Sequence, residues 1–211
     1  MSNYKEITDR IKSRMMENGW NSNDAQNSFG HAEKDKLNYL MDLHATFSYW
    51  SSVYNENDLE ELKKYKVPQS VIEFYQDYEP KGNIPVFGGI VLFELETIKE
   101  YNSSFTTDGY LIKYGVITIG NTIGGNLICI DLNQINDGEP RVIGVDSNIT
   151  MYNDDEQRIE FMGGDYEEDV ILLSYEVLKD NVPIIAKTFS EFLQNIASEN
   201  PEYKSIEAKY F

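Results

Sequence analysis

Sulfur, imidazole and positive charge are all scarce in this chain, and each shortage excludes something. Cys129 is the only cysteine among 211 residues, so no internal disulfide can form and the chain fits a reducing compartment. The two histidines, His31 and His44, lie far apart in sequence, and neither an HExxH pattern nor a cysteine pair exists to build a metal site. The calcium-loop spacing fails as well, because the fifth position counted from Asp131 is Ile135. No run approaches the roughly 20 apolar residues of a membrane helix. The opening Met1-Ser-Asn-Tyr-Lys-Glu lacks the apolar stretch of a secretory leader. These readings together give the expectation of a soluble, cytoplasmic protein.

Eighteen Lys+Arg stand against 36 Asp+Glu, for a net charge of −18. Nucleic acid and anionic membranes would repel such a surface, so neither is expected as a direct partner. A basic protein partner is permitted. Solubility is an equally simple use of acidic surface.

Catalytic patterns are missing too. The glycines of Gly120–Gly125 suggest a phosphate loop, but Asn126 stands where its lysine belongs. Cys129 sits in an apolar strand pattern away from both histidines, which argues against a nucleophile–base pair. His44 falls on an apolar helical face and reads as a core or interface histidine. No catalytic residue, cofactor or metal is therefore expected. An enzyme using carboxylates alone, carried by Asp131 or Asp165, is kept as a third reading.

What is present is scaffold. Aromatics make up 13% and hydrophobics 41%, enough for a proper core. Residues 1–66 read as helical and nearly neutral, with 9 basic and 11 acidic residues. Tyr4, Ile7, Ile11 and Met15 have helical spacing, with Gly19 as the stop. A polar gap is expected at Asn21–Ser28, then one helix from Ala32 to Tyr54. A short helix capped by Asn57 or Asp58 follows, and Pro68 opens another carrying Val71, Phe74, Tyr75 and Tyr78.

From Pro80 onward the pattern turns to short strands. Ile84–Phe93 reads as a buried strand bent at Gly88-Gly89. Leu95, Ile98 and Tyr101 suggest a short helix. Gly115–Ile119 and Asn126–Leu132 read as a hairpin whose turn uses Gly120, Asn121, Gly124 and Gly125 for positive φ. Arg141–Val145 and Arg158–Met162 read as strands, and Val170–Tyr175 as a strand or a helix start. Thr188 and Glu191 have capping-box spacing, ahead of a stripe of Phe189, Phe192, Leu193 and Ile196. The tail beyond Asn200 is expected to pack loosely. The order argues α+β with a mostly antiparallel twisted sheet and flanking helices.

Charge is concentrated. Residues 131–180 hold 14 acidic and 3 basic side chains. Two knots stand out, Asp154-Asp155-Glu156 and Asp165-Tyr166-Glu167-Glu168-Asp169. Crowding like charge costs stability. The knots read either as solvated loops or as a surface that meets a basic protein by electrostatic steering. Tyr152 and Tyr166 lie within this stretch. They either supply interface area with a polar tip or pack over a sheet edge.

Several segments taken in order resemble one family. Val67-Pro68-Gln-Ser-Val-Ile-Glu-Phe74-Tyr75 is similar to the opening helix of SUKH superfamily domains. Gly88-Gly-Ile-Val-Leu-Phe-Glu-Leu-Glu-Thr-Ile98 resembles the strand and short helix that follow. Ile117-Thr-Ile-Gly120 and Gly124-Gly-Asn-Leu-Ile-Cys-Ile-Asp131-Leu132 resemble the core hairpin. Arg141-Val142 fits the later strand, and Ala186-Lys-Thr-Phe189-Ser-Glu-Phe192-Leu193 resembles the closing helix. The resemblance spans roughly Asn55 to Ser198. It implies a SUKH-like domain over 55–200, an N-terminal helical extension over 1–54 and a tail over 201–211.

The superfamily includes immunity proteins of bacterial polymorphic and contact-dependent toxin systems, and the yeast Smi/Knr cell-wall-synthesis regulators. The resemblance therefore implies a non-enzymatic protein that binds other proteins. The first reading is an immunity protein that neutralises a cognate toxin, in many cases a basic nuclease, with the acidic knots and Tyr152 and Tyr166 in the contact. The second is a regulatory scaffold that binds a signalling or cell-wall enzyme. Gly124, Gly125 and Asp131 read as structural, with Asp131 serving backbone donors of the turn. The oligomeric state is left open.

Overall fold

The computed structural model describes residues 4–47, 56–86, 89–104, 106–163, 170–198 and 206–211. Helix α1 (Tyr4–Glu17) stops at Gly19, whose φ of 92° permits the left-handed turn. Helix α2 (Ser22–Asn27) follows where a polar gap was expected, because the Asn21 side chain accepts from the Asp24 amide and caps it. Strand β1 (Phe29–Gly30) leads to α3 (Lys34–Met41) and α4 (Leu43–Phe47).

The single helix expected over Ala32–Tyr54 is instead broken at Asp42 (φ −134°, ψ 84°). The Asp42 carboxylate accepts from the Ala45 amide and starts a new helix. The break shifts the buried face, so Leu43 is buried and His44 is only half-buried. His44 is therefore not a core histidine. The rest of the expected helix, 48–54, lies outside the described residues.

Helix α5 (Glu56–Glu61) already contains Asn57 and Asp58, which therefore do not cap it. Helix α6 (Gln69–Tyr78) starts behind Pro68 as its spacing predicts. Strand β2 (Glu79–Pro80) pairs with β1. Strands β3 (Ile84–Val86) and β4 (Ile90–Leu92) form a hairpin rather than one bent strand. Gly89 takes a φ of 72° within its turn, while Gly88 lies outside the described residues.

Then come α7 (Leu95–Asn102), α8 (Thr107–Leu111), β5 (Val116–Thr122), β6 (Leu127–Asn136) and β7 (Glu139–Val145). Strands β8 (Thr150–Asn153), β9 (Arg158–Phe161) and β10 (Ile171–Leu172) follow. The chain closes with α9 (Tyr175–Asn181), β11 (Ile184–Ala186), α10 (Phe189–Ala197) and α11 (Ile206–Tyr210). Val170–Tyr175 thus contains both alternatives, a strand and then a helix start.

The molecule is α+β around a six-stranded antiparallel sheet, ordered β11-β7-β6-β5-β4-β3. The central strands are buried throughout most of their length, which is why they read as near-continuous runs of Val, Ile and Leu. Gly120 and Asn121, expected in the turn, belong to β5. Gly120 is there for a different reason: a Cβ on it would stand 2.5 Å from the Val91 carbonyl oxygen of β4. Of the four turn residues expected to use positive φ, only Gly125 does, at 91°.

An aromatic knot joins three helices behind the sheet. Phe74 of α6 meets Tyr4 of α1 at 5.5 Å and Phe189 of α10 at 5.3 Å, both edge-on. One hydrophobic cluster runs from Tyr4 to Ile206. The Thr188 hydroxyl caps α10 by accepting from the Glu191 amide, as the sequence pattern predicts. Glu191 accepts from the Lys187 amide at 2.7 Å, while Glu139 accepts from that of Ser190. The tail is not loose where it is described. Ile206 is fully buried, and Phe211 packs beside Gly144, where a Cβ would clash with its ring.

Candidate functional site: an acidic hairpin on a small sheet

Beside the main sheet lies a three-stranded antiparallel one, ordered β10-β9-β8. Its β8–β9 turn carries the first acidic knot. Gln157 closes that turn at a φ of 49°, and the Glu156 amide donates to Asn153 Oδ1 at 3.1 Å. Asp154, Asp155 and Glu156 are all exposed at the tip. Among the described residues the cation paired with this knot is Arg158, 3.8 Å from Glu156, too far and too solvated to neutralise three carboxylates. Asp165, Tyr166, Glu167, Glu168 and Asp169 lie outside the described residues.

Tyr152 is half-buried, and its ring sits 6.1 Å from that of Tyr110 on α8. It packs the small sheet onto the body and lines a groove of about 830 Å³ with Tyr110, Thr107, Thr150, Asp154 and Gln157. The walls are cross-linked: Thr107 donates to the Ser147 carbonyl at 2.6 Å and accepts from Thr150 at 2.9 Å. Burial pushes the Tyr110 hydroxyl up, and the Asp154 carboxylate adds to the shift. Tyr110 therefore stays a neutral donor facing an acidic rim.

Register separates the two faces of the small sheet, since directly opposed residues share a face. Thr150, Phe161 and Ile171 oppose one another, as do Tyr152 and Ile159. This is the side that meets α8. Met151, Glu160 and Leu172 form a row on the other side. Glu160 accepts from Arg158 Nε at 2.9 Å and Asn153 Nδ2 at 2.8 Å, which hold its carboxyl below the usual carboxylate range. Met151 and Leu172 flank it, 47% and 53% exposed. Tyr110, Glu160, Met151 and Leu172 were not among the expected site residues. The apolar run Val170–Leu173 behind the acidic knot carried a signal, but only the register reveals which residues stand beside the hairpin.

Asp131 lies elsewhere and does different work. It is fully buried, and it accepts from Arg141 and Tyr175 rather than from the 122–126 turn. Its other oxygen accepts from the Asn133 amide, where β6 carries extra residues between the pairs Asp131↔Arg141 and Ile135↔Pro140. Among the described residues no three His, Cys or carboxylate side chains converge as metal ligands, and no helix is long and apolar enough to cross a membrane.

No curated protein matches this chain. A family model does, over residues 56–195, from the start of α5 into the last turns of α10. That span takes in the six-stranded sheet and the acidic hairpin alike. With well over half of the chain matched in one continuous stretch, the protein belongs to the SMI1 / KNR4 family (SUKH-1).

Proposed function

We propose that this protein is an immunity factor: a cytoplasmic, non-enzymatic inhibitor that binds a basic toxin domain and blocks it. The observation that carries the reading is the exposed tip Asp154-Asp155-Glu156, held on the short β8–β9 hairpin in a member of this family. Exposed carboxylates in one place contribute little to folding. They do raise the encounter rate with a positively charged surface and reject acidic ones. Tyr152 adds contact area beside them. Asp165, Tyr166, Glu167, Glu168 and Asp169, which come after β9 in the same acidic stretch of sequence, complete the proposed contact. Residues 1–54 form the helical extension of a SUKH-like domain over 55–200, with 201–211 as its tail.

The second reading is a regulatory scaffold of the Smi/Knr type that binds a signalling or cell-wall enzyme. The family match supports it equally, and partner identity separates the two. Tagged protein is incubated with lysate of its source organism and eluted with rising salt. A basic toxin fragment whose activity the protein abolishes supports immunity. A cell-wall or signalling enzyme that stays active moves the scaffold reading to first place. For the captured partner, reversing Asp154, Asp155 and Glu156 to lysine slows association by about tenfold at low salt and flattens its salt dependence. An unchanged on-rate removes the hairpin from the contact.

A further inference from the structure

Strand β10 is the edge of the small sheet, paired only with β9 among the described residues. The Leu173 amide donates to the Ile159 carbonyl at 3.0 Å. Backbone groups alternate sides along a strand, so the N–H and C=O of Leu172 point away from β9. The edge is apolar and open: Val170 is 59% exposed, Ile171 43% and Leu172 53%. Edge strands are ordinarily protected by shortness, lysine, proline or an inward charge; β10 is short, at two residues, but Val170-Ile171-Leu172-Leu173 carries no charge and no proline. β10 also has a direction. Ile171 lies beside Phe161 and Leu172 beside Glu160, so the strand runs toward the tip that carries Asp154, Asp155 and Glu156.

From this edge we infer that β10 receives an extended segment of a basic protein, which adds to the small sheet as a fourth strand. The added segment pairs with the outward N–H and C=O of Leu172, lays its apolar side chains on the face that Leu172 shares with Met151, and sets its alternate lysine or arginine side chains near the Asp154–Glu156 tip. A second copy of this chain is the wrong occupant. It would bring another −18 molecule, with the same acidic tip, against this one. The inference deepens the immunity reading by naming how the partner is held, and it rests on that reading for the partner's class alone.

The test uses the full chain and a fluorescent eight-residue peptide of alternating valine and lysine. A valine–glutamate peptide and an all-lysine peptide serve as controls. Strand addition predicts that the valine–lysine peptide binds saturably and slows hydrogen exchange at the Leu172 amide. The valine–glutamate peptide does not bind, and the all-lysine peptide is released by modest salt. Leu172→Pro deletes the outward donor at a position where an edge strand tolerates proline, and weakens peptide binding at least tenfold. Leu172→Lys keeps the donor but guards the edge with charge, and gives a comparable loss. Circular dichroism and urea midpoints establish that each variant is folded. If L172P misfolds, L172K and the exchange map still decide the question.

Exchange protection that falls elsewhere, or an L172K protein that binds the peptide as tightly as wild type, overturns the proposal. So does a wild-type dimer that L172K converts to monomer. The two readings fail separately. A neutralised toxin that binds L172K unchanged sinks strand addition and leaves immunity standing. A peptide seated on β10 in a protein that neutralises no toxin leaves the edge standing and sinks immunity.

Discussion

Arg141 on β7 reaches its cross-strand neighbour Asp131 on β6, donating from Nε to Oδ2 at 2.8 Å. Asp131 is fully buried and Arg141 is 9% exposed. The two form a buried ion pair between neighbouring strands, and the Tyr175 hydroxyl donates to the same oxygen at 2.9 Å, tying α9 to it. Removing one partner leaves the other buried without compensation. Arg141→Met is expected to destabilise the fold by about 3–5 kcal/mol in urea titrations. The double variant Asp131→Leu/Arg141→Met is expected to cost clearly less than the sum of the two singles. Simple additivity would mean the pair does not act as a unit.

Tyr175 and Tyr114 respond to the same burial. Desolvation pushes both hydroxyls up to about 12, helped at Tyr175 by its bond to Asp131 and at Tyr114 by the nearby Asp58 carboxylate. A folded-state value above the unfolded one of about 10 means that the native state holds these protons more tightly. The resulting stability is complete below pH of about 10 and is lost as pH rises through about 12. Urea midpoints should therefore fall steeply across that window. Tyr175→Phe should make the fall shallower, and an equally steep fall in that variant would assign the loss to other groups.

Gly120 and Gly125 separate two uses of glycine. At Gly120 the space beyond Cα is filled by the Val91 carbonyl, a backbone atom that cannot rotate away. Gly120→Ala should lower stability by about 1–3 kcal/mol or more through strand separation. At Gly125 nothing stands within 4 Å, and the cost comes from its φ of 91° alone. Gly125→Ala should cost only about 1–2 kcal/mol. Thermal melts of the two variants rank them, and the reverse order would contradict the close β4–β5 approach.

Ile206 tests the tail. Its side chain is fully buried at the start of α11. Ile206→Ala should cost about 2–4 kcal/mol, the range for a truncated core isoleucine. A loss under about 0.5 kcal/mol, typical of surface substitutions, would mean that the tail is peripheral.

The sequence by itself determined the local elements whose signals are local. Helical spacing and Gly19 set α1. The Thr188 hydroxyl and the Phe189, Phe192, Leu193, Ile196 stripe set α10. The dense Val, Ile and Leu of 116–119 and 127–132 set the central strands, and motif order alone pointed to the family. Even the acidic tip was legible, because three adjacent carboxylates need no partner to be recognised.

Tertiary structure decided what depends on neighbours distant in sequence. Gly120 serves a close approach to Val91 rather than a turn, and Asp131 answers Arg141 and Tyr175 rather than its own loop. Asp42 breaks a helix that periodicity alone would continue, since one side chain–backbone bond outcompetes the pattern. The face shared by Met151, Glu160 and Leu172 exists only through strand register, and a one-residue slip would have hidden it. Charge and apolar content are properties of residues. Which of them stand side by side on an open edge is a property of the fold.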